Sequence, residues 1–236
     1  MDTPTAPLLA AEAVEVTFGT RPVLRGVDLD VHAGGSLALV GSAGSGCSTL
    51  LRALNRTEPI DAGEIRFRGG ALPAGGAELA TLRADVALVL PAFNLPPNHP
   101  VRHSIVAGAR RVRGWADDRA TAAADAALER VGLPTDDRRL ASELDPGAAQ
   151  RAAIARALAL DATVLLLDGP TAGLADAEAD GLRELLAELA REVTVVIATD
   201  DEDLVRGCVG RAVRLEQGRI VADGEVDAVL AAAPEA

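Results

Sequence analysis

Short apolar runs with a period of two occupy the N-terminal part of the chain. Ala13 to Phe18, Val23 to Val31, Ser36 to Val40 and Glu64 to Arg68 alternate in polarity and are separated by glycine-rich turns, so each is read as a strand. After Val40 the period changes. A glycine-rich turn runs into CSTLLRALNRT, where Leu50, Leu51 and Leu54 fall on one face of a helix. From Leu95 to Arg151 the chain is first punctuated by prolines and then rich in alanine at helical spacing. Ala120, Ala123, Ala124, Ala127, Leu128 and Val131 make one apolar side there. Alternating elements then return: a helix through AAQRAAIARALAL, a strand TVLLLD, a helix through AEADGLRELLAELARE and a strand TVVIATD. Near-continuously apolar strands alternating with helices predict an α/β fold whose parallel sheet is covered on both faces. The expected organisation is one domain over 1–236, with a core from about 8–94 and 150–231 and an inserted helical lobe over about 95–149. The tail LAAAPEA is expected to fray.

Composition narrows the function classes. A formal net charge of -12 argues against nucleic acid as a partner, because such affinity rests on Lys and Arg neutralising phosphates. No stretch approaches the length of apolar sequence that crosses a bilayer, and the N-terminus lacks a basic leader, so the chain is expected to be soluble and to reach a membrane only through a partner. Cys47 and Cys208 form no CxxC pattern and are expected to be reduced thiols, with Cys208 in the core. His32, His99 and His103 lack metal-ligand spacing, and Trp115 is expected to pack on the lobe or its surface. All basic residues are arginine, since the sequence holds no lysine. Composition explains Arg for Lys on a surface. It does not explain a cysteine where a lysine is required.

That position lies in GSAGSGCST, from Gly41 to Thr49, which matches the phosphate-loop pattern GxxxxGK followed by Ser or Thr at every defined position except the lysine, replaced by Cys47. Gly41 and Gly46 keep the frame; Gly44, with Ser42 and Ser45 around it, allows the backbone to come close to a phosphate; Ser48 is the hydroxyl that would hold Mg²⁺, with Thr49 following it in the helix. Backbone amides and the helix N-terminus attract phosphate without the lysine. Cys47 is neutral near pH 7 unless the helix end lowers its pKa, in which case it becomes an anion that opposes phosphate.

With TFG, LRGVDLDVHAG, this loop, FNL, ERVGL, SEL, QRAAIARALA, LLLDGPTAGL and GRIVADGE, the chain resembles the ATP-binding subunits of ABC transporters, most closely those of polar amino acid importers, from about Ala11 to Val229. The resemblance implies a P-loop NTPase fold of the ABC ATPase kind, with a mostly parallel sheet, an N-terminal antiparallel β subdomain and the inserted helical lobe. It places the adenine-stacking aromatic on Phe18 and the Mg²⁺-associated carboxylate on Asp168. It also implies a membrane permease as partner, a homodimer or a heterodimer with an intact ABC ATPase, and a cytoplasmic position on the inner face of the membrane.

The same resemblance locates a series of departures. The glutamine expected before FNL is Pro91, which has neither side-chain amide nor N–H. The signature LSGGQ reads Leu144, Asp145, Pro146, Gly147, Ala148, in register with retained Ser142, Glu143, Gln150 and Arg151. The catalytic carboxylate expected after Asp168 is Gly169, the γ-phosphate histidine expected after Thr199 is Asp200, and the SALD loop reads AGLA from Ala172 to Ala175. Together these predict a hydrolysis-deficient subunit with weak or no binding of ATP and Mg²⁺, and no catalytic residue in the usual positions. Two other readings stay open: an active ATPase energising amino acid transport, with Asp200 or Asp201 as substitute base, and a nucleotide-independent scaffold, favoured by carboxylates at Asp145 and Asp200.

Overall fold

The computed structural model describes residues 6–90, 95–136 and 138–232. Two sheets form from the alternating runs. The first is antiparallel and joins β1 (Leu9–Phe18), β2 (Arg21–Val31), β4 (Ala62–Phe67) and β5 (Gly70–Ala71) in the order β2-β1-β4-β5. Here the expected β subdomain is present. Its first strand begins upstream of the predicted Ala13, because Leu9, Ala10 and Ala11 pair with Val31, Asp30 and Leu29 before the alternation is broken at a bulge.

The second sheet has the order β10-β9-β3-β8-β7-β6, built from β3 (Ser36–Val40), β6 (Val86–Val89), β7 (Val164–Asp168), β8 (Thr194–Ala198), β9 (Arg211–Glu216) and β10 (Arg219–Gly224). Every pairing from β9 through β3, β8 and β7 to β6 is parallel, and only β10 runs antiparallel to its neighbour. The central strands are buried on both faces, as their unbroken apolar sequences require.

Alternation along these strands divides the core in two. Ala38, Val40, Leu165, Leu167, Val195 and Ile197 pack with helices α3 (Val101–Arg113), α4 (Asp117–Arg130), α5 (Pro146–Leu158), α6 (Asp176–Leu189) and α7 (Glu202–Cys208). Leu37, Leu39, Val164, Leu166, Val196 and Val213 pack on the other side with the antiparallel sheet, α1 (Cys47–Leu54) and α2 (Gly76–Asp85). Helix α1 therefore lies sandwiched between the two sheets. Its Leu50, Leu51 and Leu54 are fully buried, each worth roughly 1.5–3 kcal/mol of transfer free energy.

Helices α3 and α4 fall in the predicted lobe, and Ala120, Ala124, Ala127, Leu128 and Val131 are its buried face, with Ala123 half-buried. Helix α5 runs across residue 149, so one continuous helix ties the expected lobe to the core. A short α8 (Val226–Ala231) closes against β9, and the last residues of the alanine-rich tail lie outside the described residues. Cys208 is buried, and Trp115 is half-buried with the Arg119 guanidinium 3.9 Å from its ring centroid.

Candidate functional site

Parallel strands β3, β8 and β7 end on the same edge of the sheet, and residues that follow or close them converge there: Gly41 after β3, Asp168 at the end of β7, Thr199 and Asp200 after β8. Open α/β sheets hold ligands outside the carboxyl ends of their strands. A cleft of about 480 Å³ occupies that place, lined by the loop from Gly41 to Thr49 together with Asp168, Gly169, Thr199 and Asp200.

The loop is held tightly against its surroundings. Ser45 donates its N–H to Ser42 O at 2.9 Å, and Gly218 in the β9–β10 turn donates to Ser45 O at 2.9 Å. A Cβ on Gly41 would collide with the Leu215 carbonyl oxygen and stand 2.6 Å from Ser45 Oγ. Gly46, the N-cap of α1, has φ 110°, and a Cβ there would meet Leu24 Cδ2 at 2.9 Å. The frame glycines are thus demanded by close backbone approach. No side chain caps the N-terminus of α1, which leaves the first-turn amides of Cys47, Ser48 and Thr49 directed at the cleft.

Ser48 Oγ donates to Asp168 Oδ1 at 2.7 Å, and Arg52 Nη2 donates to Asp168 Oδ2 at 3.2 Å. The hydroxyl and the carboxylate that sequence comparison pairs across 120 positions are in direct contact. Cys47 Sγ sits 3.4 Å from Ser45 Oγ. Burial raises the Cys47 pKa and the Asp168 charge adds to it, with the Ser45 contact and the backbone opposing. The thiol is therefore neutral at pH 7, which decides against the anionic alternative.

Gly169 follows Asp168 in the left-handed region, φ 53°, and its N–H donates to Ala198 O at 2.8 Å. A side chain here would carry backbone strain of about 1–3 kcal/mol. Asp200 is exposed in the cleft and has no side-chain partner among the described residues. Asp201 is differently employed. It caps α7 through Leu204 N–H at 2.9 Å, accepts from Thr171 Oγ1 at 2.7 Å and pairs with Arg183 Nη2 at 2.9 Å. Although burial pushes its pKa up, these partners outweigh burial and lower it. A carboxylate so engaged is not available as a general base, and the Asp201 form of the substitute-base reading is set aside.

Asp145 and Pro146, expected to face a phosphate, open α5. Asp145 is the N-cap, accepting from Ala148 N–H at 2.7 Å, and Pro146 takes the first helical position, where its missing N–H costs nothing. Gly147 is buried with Glu178 Oε1 3.1 Å from where its Cβ would be, and Leu144 packs against the core. Phe18 is 49% exposed at the end of β1, open to a stacking partner. Pro91 lies outside the described residues. Among the described residues no group of three or more His, Cys, Asp or Glu side chains could hold a metal ion unaided, so Mg²⁺ would depend on Ser48, Asp168 and the phosphates themselves.

The sequence profile described as ABC transporter matches residues 24–172. The chain belongs to the ABC transporter family. It is 34% identical to the glutamate transport ATP-binding protein GluA of Corynebacterium efficiens, over 92% of this chain and 90% of that one. It is 36% identical to the L-cystine transport system ATP-binding protein TcyN of Escherichia coli, over 91% and 88%. Among solved structures it superposes on cbiO1 from Clostridium perfringens, part of the ABC transporter complex cbiONQ, with a TM-score of 0.84 and 27% identity over 97% of this chain and 92% of that one. It also superposes on a dimeric ATP-binding cassette, MJ0796, in a post-hydrolysis state with ADP and Pi, with a TM-score of 0.83 and 25% identity over 92% and 98%. These establish the P-loop ABC ATPase fold. No helix among the described residues is long and apolar enough to cross a membrane.

The loop frame, Ser48 and Asp168 are brought together as the sequence implied. One charged residue of the cleft was not among those the sequence pointed to. Arg21, the first residue of β2, also lines the cleft, and its signal in the sequence was its place just beyond the Gly19–Thr20 turn that follows Phe18.

Proposed function

We propose that this chain is the ATP-binding subunit of an ABC importer for an amino acid, and that it binds nucleotide without hydrolysing it. Importer type and substrate class rest on the relatives, whose names specify glutamate and L-cystine transport. A permease in the membrane would then be its partner and the cytoplasmic face its location. The chain's own residues support retention of the phosphate cradle: a first turn of α1 that no side chain caps, a loop preorganised by Ser42, Ser45 and Gly218, and a touching Ser48–Asp168 pair for Mg²⁺.

The absence of hydrolysis rests chiefly on Gly169. At the end of β7, beside the phosphate loop, the residue after Asp168 offers no carboxylate to position water. Phosphoryl transfer depends almost wholly on positioning and electrostatics, so losing the base and the lysine charge together costs several orders of magnitude. A nucleotide-independent scaffold is the second reading, favoured by the unpaired Asp200 carboxylate in the cleft. Phosphate release from Mg-ATP by the purified chain tests the first. The expected rate equals that of buffer, and turnover near 1 s⁻¹ or faster, ordinary for enzymes of this kind, would overturn it.

A further inference from the structure

Within the cleft, charge is distributed unusually. Position 47 holds a cysteine where the loop pattern has a lysine, the Asp168 carboxylate is already bonded to Arg52, and the Asp200 side chain has no partner among the described residues. Among the described residues lining the cleft, Arg21 is the one cation. Its Nη2 lies 3.5 Å from the point a Cβ on Gly44 would occupy, so the guanidinium lies over the loop. It makes no hydrogen bond or ion pair with any described residue, even with Asp200 lining the same cleft. Register adds a second constraint. Arg21 is the cross-strand partner of Phe18, directly opposite it across the two-residue turn Gly19–Thr20.

We propose that Arg21 supplies, from the β1–β2 hairpin, the positive charge toward a bound nucleoside di- or triphosphate that the loop has lost at Cys47. This rests on the nucleotide-binding reading above and names the group that makes such binding possible. A guanidinium is always charged and can donate two parallel hydrogen bonds to phosphate oxygens, which suits it to the task from a different direction than a lysine on α1. Phe18 and Arg21, side by side at one hairpin tip, then address the base and the phosphates from the same element. Gly44, at φ 85°, holds the loop backbone in a left-handed turn directly beneath the guanidinium.

Calorimetric titration with Mg-ATP and with ADP tests this on five proteins: the unsubstituted chain, Arg21→Gln, Cys47→Lys, the double variant, and Arg21→Lys as the charge-conserving control. Arg21→Gln is expected to weaken binding of both nucleotides about tenfold or more, and Arg21→Lys to retain most of the affinity. In the Cys47→Lys background, where the loop has its own cation, the same Arg21→Gln change should cost about threefold or less, since two cations serving one phosphate group are not additive. Unchanged affinity in Arg21→Gln overturns the inference, as do equal losses in both backgrounds, which would mark a general effect of the substitution. Failure of the unsubstituted, folded chain to bind millimolar nucleotide overturns the binding reading itself, a result distinct from binding that ignores Arg21.

Discussion

Replacing Cys47 with lysine separates the two halves of the proposal, binding and chemistry. The thiol sits in the first turn of α1, lines the cleft, has Ser45 Oγ at 3.4 Å as its one side-chain hydrogen-bond partner and packs at the margin of the core, while the 480 Å³ space accepts a longer side chain. A hydrogen bond from a charged donor contributes about 1.5–3 kcal/mol, and 1.4 kcal/mol is a factor of ten in affinity. Part of that gain is already spent in the empty site, because an ammonium there is also attracted to Asp168 and Asp200. Asp168 carries Arg52 at 3.2 Å and Asp200 is solvated, which limits this competition. Cys47→Lys is therefore expected to tighten Mg-ATP binding by about tenfold, read by calorimetry, while phosphate release stays at background because Gly169 is unchanged. Unaltered affinity would show that the missing charge is not what limits binding. Turnover restored by this one substitution would refute the assignment of inactivity to Gly169.

Further substitutions probe the surrounding structure. Asp145→Ala removes the cap of α5 and should cost about 1 kcal/mol in urea denaturation, with Asp145→Asn costing less; an unshifted midpoint would deny the capping role. Asp201→Asn should destabilise the protein at pH 7 by roughly 1–2 kcal/mol. Because folding lowers the Asp201 pKa, its contribution is complete above the unfolded carboxylate value and is lost as pH falls through the lower folded value. The gap between the two proteins should accordingly narrow below about pH 4, and a gap that widens in acid contradicts the assignment. Burial raises the pKa of both thiols, Cys208 to about 11, so alkylation by iodoacetamide at pH 7.5 should be slow in the folded protein and fast in urea. Rapid labelling of folded Cys47 would mean an exposed thiolate in the loop.

Strong periodicity made much of the fold legible. The β1 to β4 strands follow from alternation of period two, β7 and β8 from unbroken apolar runs, and the α1, α4, α5 and α6 helices from helical spacing, while the strand, glycine loop, helix sequence marked the site. Weaker signals escaped. Helix α2 starts at Gly76 with little apolar patterning, and only Leu82 and Ala84 are buried on it. Strand β6 spans just Val86–Val89 and gains its place from β7 beside it, a long-range pairing no local window contains. Asp145 followed by Pro146 is a readable helix start, a local role that sits alongside the place the family signature assigns to these residues. Arg21 was hidden for another reason. Its significance lies in an approach to Gly44 that depends on how β2 crosses the loop.

Departures from the family pattern also acquire local explanations. Asp145 caps α5, and Gly169 adopts a backbone conformation that a side chain would strain. The site around them keeps the geometry of a cradle. On the proposed reading, what it lacks is the means to polarise and attack.

The chemical state of nucleotide held by the chain is the most direct test of that claim. The purified protein would be incubated with Mg-ATP labelled on the α-phosphate, separated from free ligand, and its bound nucleotide resolved by chromatography over several hours. Intact ATP recovered from the protein throughout is the predicted result. Conversion of the bound nucleotide to ADP, faster than in buffer and abolished in a chain whose loop carries Gly46→Val, would contradict it.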